Sequence, residues 1–124
     1  MAKILVAEDD RMLLRSIAFK LEKEGYTVVM ASNGRQAVEM VESENPDLVV
    51  SDIMMPYLNG LEVIPYIKAH SEKTAVIMLT SIGLEDTVVK AFDLGADDFM
   101  TKPFNLGELL IRIRRQLTLV GCEG

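Results

Sequence analysis

Four places in the chain carry residues that could act together on a charged ligand: "AEDD" at 7–10, "SDIMMP" at 51–56, "TS" at 80–81 and "TKPF" at 101–104. They offer Glu8, Asp9 and Asp10, then Asp52, then the hydroxyls of Thr80 and Ser81, and finally Lys102 ahead of Pro103. Each has an ordinary role on its own. Asp10 suits the N-cap of a following helix, Thr80 is a β-branched strand residue, Asp52 alone is a loop acid, and Lys102 alone faces solvent. Converging, they describe a site. Two carboxylates about 4 Å apart repel by roughly 4 kcal/mol at an effective dielectric near 20. Glu8, Asp9 and Asp52 could therefore share one edge only with a cation nearby or a raised pKa. Such oxygen donors suit a hard divalent cation, and Mg²⁺ keeps several waters while bridging carboxylates to phosphate. Lys102 would supply a point charge for a phosphate oxygen and Thr80 a hydroxyl donor. An ionised Asp52 is the candidate nucleophile, since a carboxylate can form an acyl phosphate. Taken from the pattern alone, coincidental spacing explains these residues about as well.

Convergence depends on the elements between them. The apolar runs "KILVA" (3–7), "TVVMA" (27–31), "DLVVS" (47–51), "AVIML" (75–79) and "DFMT" (98–101) predict strands. They read as apolar on both faces, as strands covered by helices on each side do. Leu14, Ile17, Ala18 and Leu21 recur at helical spacing, as do Leu106, Leu109, Leu110, Ile113 and Leu117. Helices also fit 34–43, 60–69 and 84–94. Pro65 is awkward inside the second of these, because an interior proline costs about 3 kcal/mol, and it is expected in the first turn or at a kink. Five β-then-α units predict an α/β fold: a parallel five-stranded sheet, doubly wound, with helices on both faces and right-handed crossovers. Ligands of such sheets bind beyond the carboxyl ends of the strands. The four acidic, hydroxyl and basic stretches all fall there.

The 124 residues fit one domain, 1–124, and no linker, repeat or low-complexity segment divides them. With 13 Lys+Arg against 19 Asp+Glu, the net charge of −6 disfavours direct nucleic-acid binding. Cys122 is the only cysteine, so no internal disulfide can form, which fits a reducing cytosol. The opening "MAKILVAEDD" lacks a signal-peptide core and no segment approaches membrane-spanning length. A cytoplasmic location with no membrane role is the expectation.

The motifs "ILVAEDD", "PDLVVSDIMMP", "NGLE", "IMLTS" and "GADDFMTKPF", in this order, resemble response-regulator receiver domains, the phosphoacceptor modules of two-component signalling. The resemblance covers essentially the whole chain. It implies a three-layer (βα)5 sheet in strand order 2-1-3-4-5, flavodoxin-like. It also implies that Asp52 takes a phosphoryl group from a phosphohistidine on a sensor histidine kinase or phosphotransfer protein. Asp9 would be a direct Mg²⁺ ligand (Mn²⁺ being an alternative), with Glu8 acting alongside, often through water, and the backbone carbonyl of Met54 completing the protein ligands. Lys102 would pair with the bound phosphoryl, and Lys102–Pro103 would be a cis peptide. Thr80 and Phe99 resemble the switch pair. The family often has Tyr at the latter position, so Phe99 would switch by packing without a hydroxyl bond. Met54 and Ile82 occupy positions that tune how long the phosphoryl survives.

The resemblance further implies an output face on the fourth helix, fifth strand and fifth helix, about 84–119. "GADDFMTKPF" followed by "ELLIRIRR" is similar to receivers joined to winged-helix DNA-binding domains, which dimerise through this face. Asp98 and Arg112 fall where those receivers place an intermolecular ion pair, although Val88 and Leu119 stand where they often carry basic residues. Arg112, Arg114 and Arg115 read equally well as a solvated helix face. The chain is expected to be a whole receiver or one cut from a longer regulator with an output domain. His70 reads as an isolated, exposed residue, and the eight methionines as adaptable core filler.

Three rivals are weaker. Aspartate-nucleophile phosphatases generally carry a second acid two residues on, where this chain has Met54. A nucleotide- or flavin-binding domain would need a glycine-rich loop after the first strand, and acids stand there instead. A receiver no longer phosphorylated would not be expected to keep Asp9, Asp52, Thr80 and Lys102 together.

Overall fold

The computed structural model describes residues 2–81 and 85–121, so Ile82 and Cys122 lie outside the described residues. The chain alternates β1 (Lys3–Ala7), α1 (Arg11–Lys23), β2 (Thr27–Ala31), α2 (Gly34–Glu44), β3 (Leu48–Asp52), α3 (Gly60–His70), β4 (Ala75–Thr80), α4 (Glu85–Leu94), β5 (Asp98–Thr101) and α5 (Leu106–Leu119). All strand pairings are parallel and the sheet order is β2-β1-β3-β4-β5. This is the doubly wound parallel sheet that the alternating pattern predicts, in the flavodoxin-like strand order that the family resemblance implies.

Strand alternation divides the core. Ile4, Val6, Leu48, Val50, Ile77 and Leu79 point to one face, where they meet the stripes of α1 and α5. Leu5, Val49, Val76 and Met78 point to the other, against α2, α3 and α4. Each fully buried Leu or Ile in these layers contributes roughly 1.5–3 kcal/mol. The expectation that every strand is covered on both faces holds for β3 and β4, which are buried throughout, and nearly so for β1. It fails for the edges: β2 and β5 are largely half-buried or exposed, because each has a neighbour on one side only.

The strand boundary that matters for the site differs by one residue. β3 runs Leu48–Asp52, so Asp52 is its last residue and not the first beyond it. Asp47 precedes the strand, its carboxylate accepting the Lys3 backbone N–H at 2.8 Å. Pro65 lies in the second turn of α3, not the first, with its ring on the exposed side. There the carbonyl one turn back loses its helix partner, but water can replace it. Three helices open on asparagine caps, at Asn33, Asn59 and Asn105. Asn59 and Glu62 form a reciprocal capping box, a signal legible in "NGLE" that the sequence reading did not use.

Candidate functional site

β1 and β3 are adjacent in the sheet, so the segment after β1 and the end of β3 meet at one edge. Glu8, Asp9 and Asp52 each place a carboxylate oxygen within 4.8 Å of the other two. Glu8 and Asp52 are buried while Asp9 is exposed, which gives the cluster a closed floor and an open side. Asp10 stands just outside as the N-cap of α1, accepting from the N–H groups of Met12 and Leu13. That is the role expected of it.

Lys102 crosses from the end of β5. Its Nζ donates to Glu8 Oε1 at 2.6 Å and to Asp52 Oδ2 at 3.0 Å. The backbone fixes that reach: the Lys102 N–H donates to the Thr80 carbonyl at 2.7 Å, and the following Lys102–Pro103 bond is cis. Asp10 N–H donates to the second Glu8 oxygen at 3.1 Å, and Met54 N–H approaches Asp52 Oδ1 at 3.4 Å. One lysine thus meets two of the three acids, leaving an excess of negative charge at a partly desolvated edge of the sheet.

The titration of Glu8 reflects this. Burial pushes its carboxyl up to about 7, against the hydrogen bonds from Lys102 and Asp10 that favour its ionised form, and the Asp52 charge adds to the rise. For Lys102, burial alone would lower the pKa. Its hydrogen bonds to Glu8 and Asp52, with their charges, outweigh burial and hold it above the ordinary lysine value. The clustered hard oxygen donors, with charge left uncompensated, fit a divalent cation of the Mg²⁺ class.

Thr80 is fully buried at the end of β4. Phe99 pairs in register with Met78, two residues before Thr80, and packs half-buried against the α2–α3–α4 face. Thr80 and Phe99 therefore sit on one face of the sheet at its carboxyl edge, whereas Ser81 is exposed. Met54 is exposed beside Asp52.

Asp98 and Arg112 lie away from this cluster and meet within the chain: Arg112 Nη1 donates to Asp98 Oδ1 at 2.7 Å and Nη2 to Glu108 Oε1 at 3.1 Å. His70 is exposed as expected but not isolated, since its Nε2 is 2.6 Å from Asn45 Oδ1. The sequence reading also missed Gly60. A methyl group there would stand 2.2 Å from the Asp52 carbonyl oxygen and 2.9 Å from Ile53 Cα, so only glycine lets α3 begin this close to the acceptor strand. The "NGLE" motif carried the signal, but close approach is a property of the packed chain.

The family model for the response regulator receiver domain matches residues 4–114. The response regulator MprA of Mycolicibacterium vanbaalenii is 41% identical over 115 residues, which span 93% of this chain and 50% of that protein. The alkaline phosphatase synthesis transcriptional regulatory protein PhoP of Bacillus subtilis is 39% identical over 102 residues, 73% of this chain and 42% of that protein. The chain thus spans about half the length of these curated relatives or less. Among solved structures, the receiver domain of the Francisella response regulator 1452 superposes with a TM-score of 0.89 at 32% identity, covering 96% of this chain and 98% of that one. A CheY-like receiver domain protein from Methanospirillum hungatei superposes with a TM-score of 0.94 at 29% identity, covering 98% and 97%.

Proposed function

The chain belongs to the response regulator receiver domain family, a regulatory module of two-component signalling, and from that premise we propose that Asp52 is its phosphoacceptor in a Mg²⁺-dependent transfer. The observation that carries this reading is the convergence of Glu8, Asp9 and Asp52 within 4.8 Å, with Lys102 bonded to two of them. Asp9 and Asp52, with the Met54 carbonyl, would hold the cation, and Glu8 would act beside them. When bound, Mg²⁺ neutralises charge on the phosphoryl oxygens and lowers the repulsion between donor and acid cluster.

In the transfer, an Asp52 carboxylate oxygen attacks phosphorus. The phosphorus–nitrogen bond of the donor phosphohistidine breaks, and its electron pair returns to the imidazole nitrogen. The product is an acyl phosphate on Asp52. Positioning and charge neutralisation do most of the work in phosphoryl transfer. Lys102, already oriented by Asp52, would follow charge from the carboxylate to the phosphoryl oxygens. Thr80 would donate its hydroxyl to the new group, and Phe99, on the same sheet face, would repack with it. Such contacts bias a conformational equilibrium only as far as they differ between its two states. No step requires turnover, which fits a regulatory domain that loses its phosphoryl slowly.

The donor would be a cytoplasmic sensor histidine kinase or phosphotransfer protein. The readout would be an attached output domain or a downstream protein, reached through α4, β5 and α5. Dimerisation on phosphorylation through that face would require Arg112 to exchange its intramolecular Asp98 for a partner copy's. Sedimentation with and without beryllofluoride tests this, and a monomer in both states refutes it.

Asp52→Asn should abolish labelling by acetyl phosphate and Mg²⁺, followed as intact protein mass; undiminished labelling would sink the assignment. Steady hydrolysis of phosphate esters by the unmodified protein would favour the phosphatase reading instead.

A further inference from the structure

The first turn of α2 lies directly against the segment that joins Asp52 to α3, closer than any side chain allows. A methyl group on Gly34 would stand 1.8 Å from the Leu58 carbonyl oxygen, 2.6 Å from its carbon and 2.7 Å from Leu58 Cβ. Gly34 does not lie in the left-handed region, so clearance and not conformation excludes a side chain. Its N–H is also directed at the Pro56 carbonyl, at 3.4 Å. Next to it, the Arg35 guanidinium lies over the Tyr57 ring, 5.1 Å from the centroid. Tyr57 has φ +70°, rare for a bulky aromatic residue, in a three-residue turn that the Leu58 N–H closes on the Pro56 carbonyl at 2.8 Å. Pro56, Tyr57 and Leu58 are therefore each held from α2.

Both ends of the segment are fixed independently. Ile53 N–H donates to the Leu79 carbonyl at 3.0 Å, Gly60 N–H donates to the Ile53 carbonyl at 2.8 Å, and Asn59 caps α3. With both ends held, a push on Leu58 falls on residues 54–58, the stretch beside the Asp52 carboxylate.

We propose that Gly34 and Arg35 are positioning residues for the acceptor segment: they set the placement of residues 54–58 beside Asp52, and through it the affinity of the acidic cluster for a divalent cation. The affinity part rests on the reading that the Met54 carbonyl joins Asp9 and Asp52 as a ligand. Neither residue touches the cation or the phosphoryl group. Both act through the backbone they hold, as groups behind metal ligands generally do.

The test is a Mg²⁺ titration of the whole chain followed by backbone amide shifts, for Gly34→Ala, Arg35→Ala and Val41→Ala. Val41 is buried two turns from Gly34 on the same helix and takes no part in the Gly34 or Arg35 contacts to Pro56, Tyr57 and Leu58, so its truncation reports a general loss of stability with those contacts kept. Gly34→Ala should move the amides of 54–58 in the metal-free protein and weaken Mg²⁺ binding by about tenfold or more. Arg35→Ala, at an exposed residue, should weaken it by about two- to threefold, and Arg35→Lys should restore most of that, because an ammonium also sits over a tyrosine ring. Val41→Ala should lower the thermal midpoint and leave the affinity within about twofold of the unmodified protein. Wild-type affinity in Gly34→Ala, or an equal loss in Val41→Ala, overturns the proposal. If Gly34→Ala does not fold, unchanged affinity in Arg35→Ala overturns it alone. If the unmodified protein binds no Mg²⁺, the reading of the site fails, and the metal-free amide shifts still decide whether α2 positions the segment.

Discussion

Lys102 lies between Glu8 and Asp52, at 2.6 and 3.0 Å, and Arg112 lies between Asp98 and Glu108, at 2.7 and 3.1 Å. In outline the two triads are the same: one cation, two carboxylates, short bonds. Their surroundings differ. The side chains of Glu8 and Asp52 are 1% and 6% exposed, those of Asp98 and Glu108 18% and 53%. In the buried triad, desolvation drives Glu8 up to about 7, and Asp9 adds an acid that Lys102 does not meet. In the exposed one, burial pulls Arg112 down, but its hydrogen bonds to Glu108 and Asp98 and their charges together leave it above its ordinary value. The lesson is that geometry alone does not mark a site. An ion triad becomes reactive where its charge is uncompensated and water cannot screen it.

The contrast is most exposed to failure at its two cations. Removing the partner of a buried acid costs on the order of 3–5 kcal/mol, so Lys102→Ala should be strongly destabilising in urea at a pH where Glu8 is ionised. The loss should shrink in acid, as Glu8 takes up a proton in place of the lysine bond. A loss that is small at every pH would show that the buried triad is well solvated after all.

Asp9→Ala separates binding from stability. It removes an acid from a cluster with too many, so the metal-free protein should be no less stable. Its Mg²⁺ affinity should nevertheless fall by at least about tenfold. Titration calorimetry and a melt on the same sample check both, and an unchanged affinity would remove Asp9 from the ligand set.

The pH dependence follows from Glu8. Its carboxyl binds a proton more tightly in the folded chain than in the unfolded one, where the ordinary value is 4.5. Its favourable contribution is fully present below about 4.5 and is lost as pH rises through about 7. Metal-free Glu8→Gln should therefore gain stability relative to the unmodified protein across that window; parallel curves would contradict the assignment. At the exposed triad, Arg112→Ala should cost under about 1 kcal/mol and lose even that effect in high salt. A larger, salt-independent cost would erase the distinction between the two triads.

How much of this could be read from the residues differs by element. The strands of the sheet and the stripe of α1 follow from periodicity, which local sequence expresses directly. The strand end at Asp52 was displaced by one residue, because hydrogen bonding to β4 and not composition decides where β3 stops. The residue types of the site were legible, but the bond from Lys102 to Glu8 was not, since it joins positions 94 apart in sequence. Burial separated Glu8 from Asp9, neighbours of similar chemistry, by turning one into the floor and leaving the other open. Gly34 and Gly60 were beyond reach for a different reason: their role is the absence of atoms where two elements cross.

The most direct test of the central claim is to find where the phosphoryl group goes. The protein would be treated with acetyl phosphate and Mg²⁺, reduced with borohydride to convert any acyl phosphate to an alcohol, and mapped by peptide mass spectrometry. The account predicts conversion of Asp52 alone to homoserine. Conversion at Glu8, Asp9 or Asp10, or at no carboxylate, would contradict it.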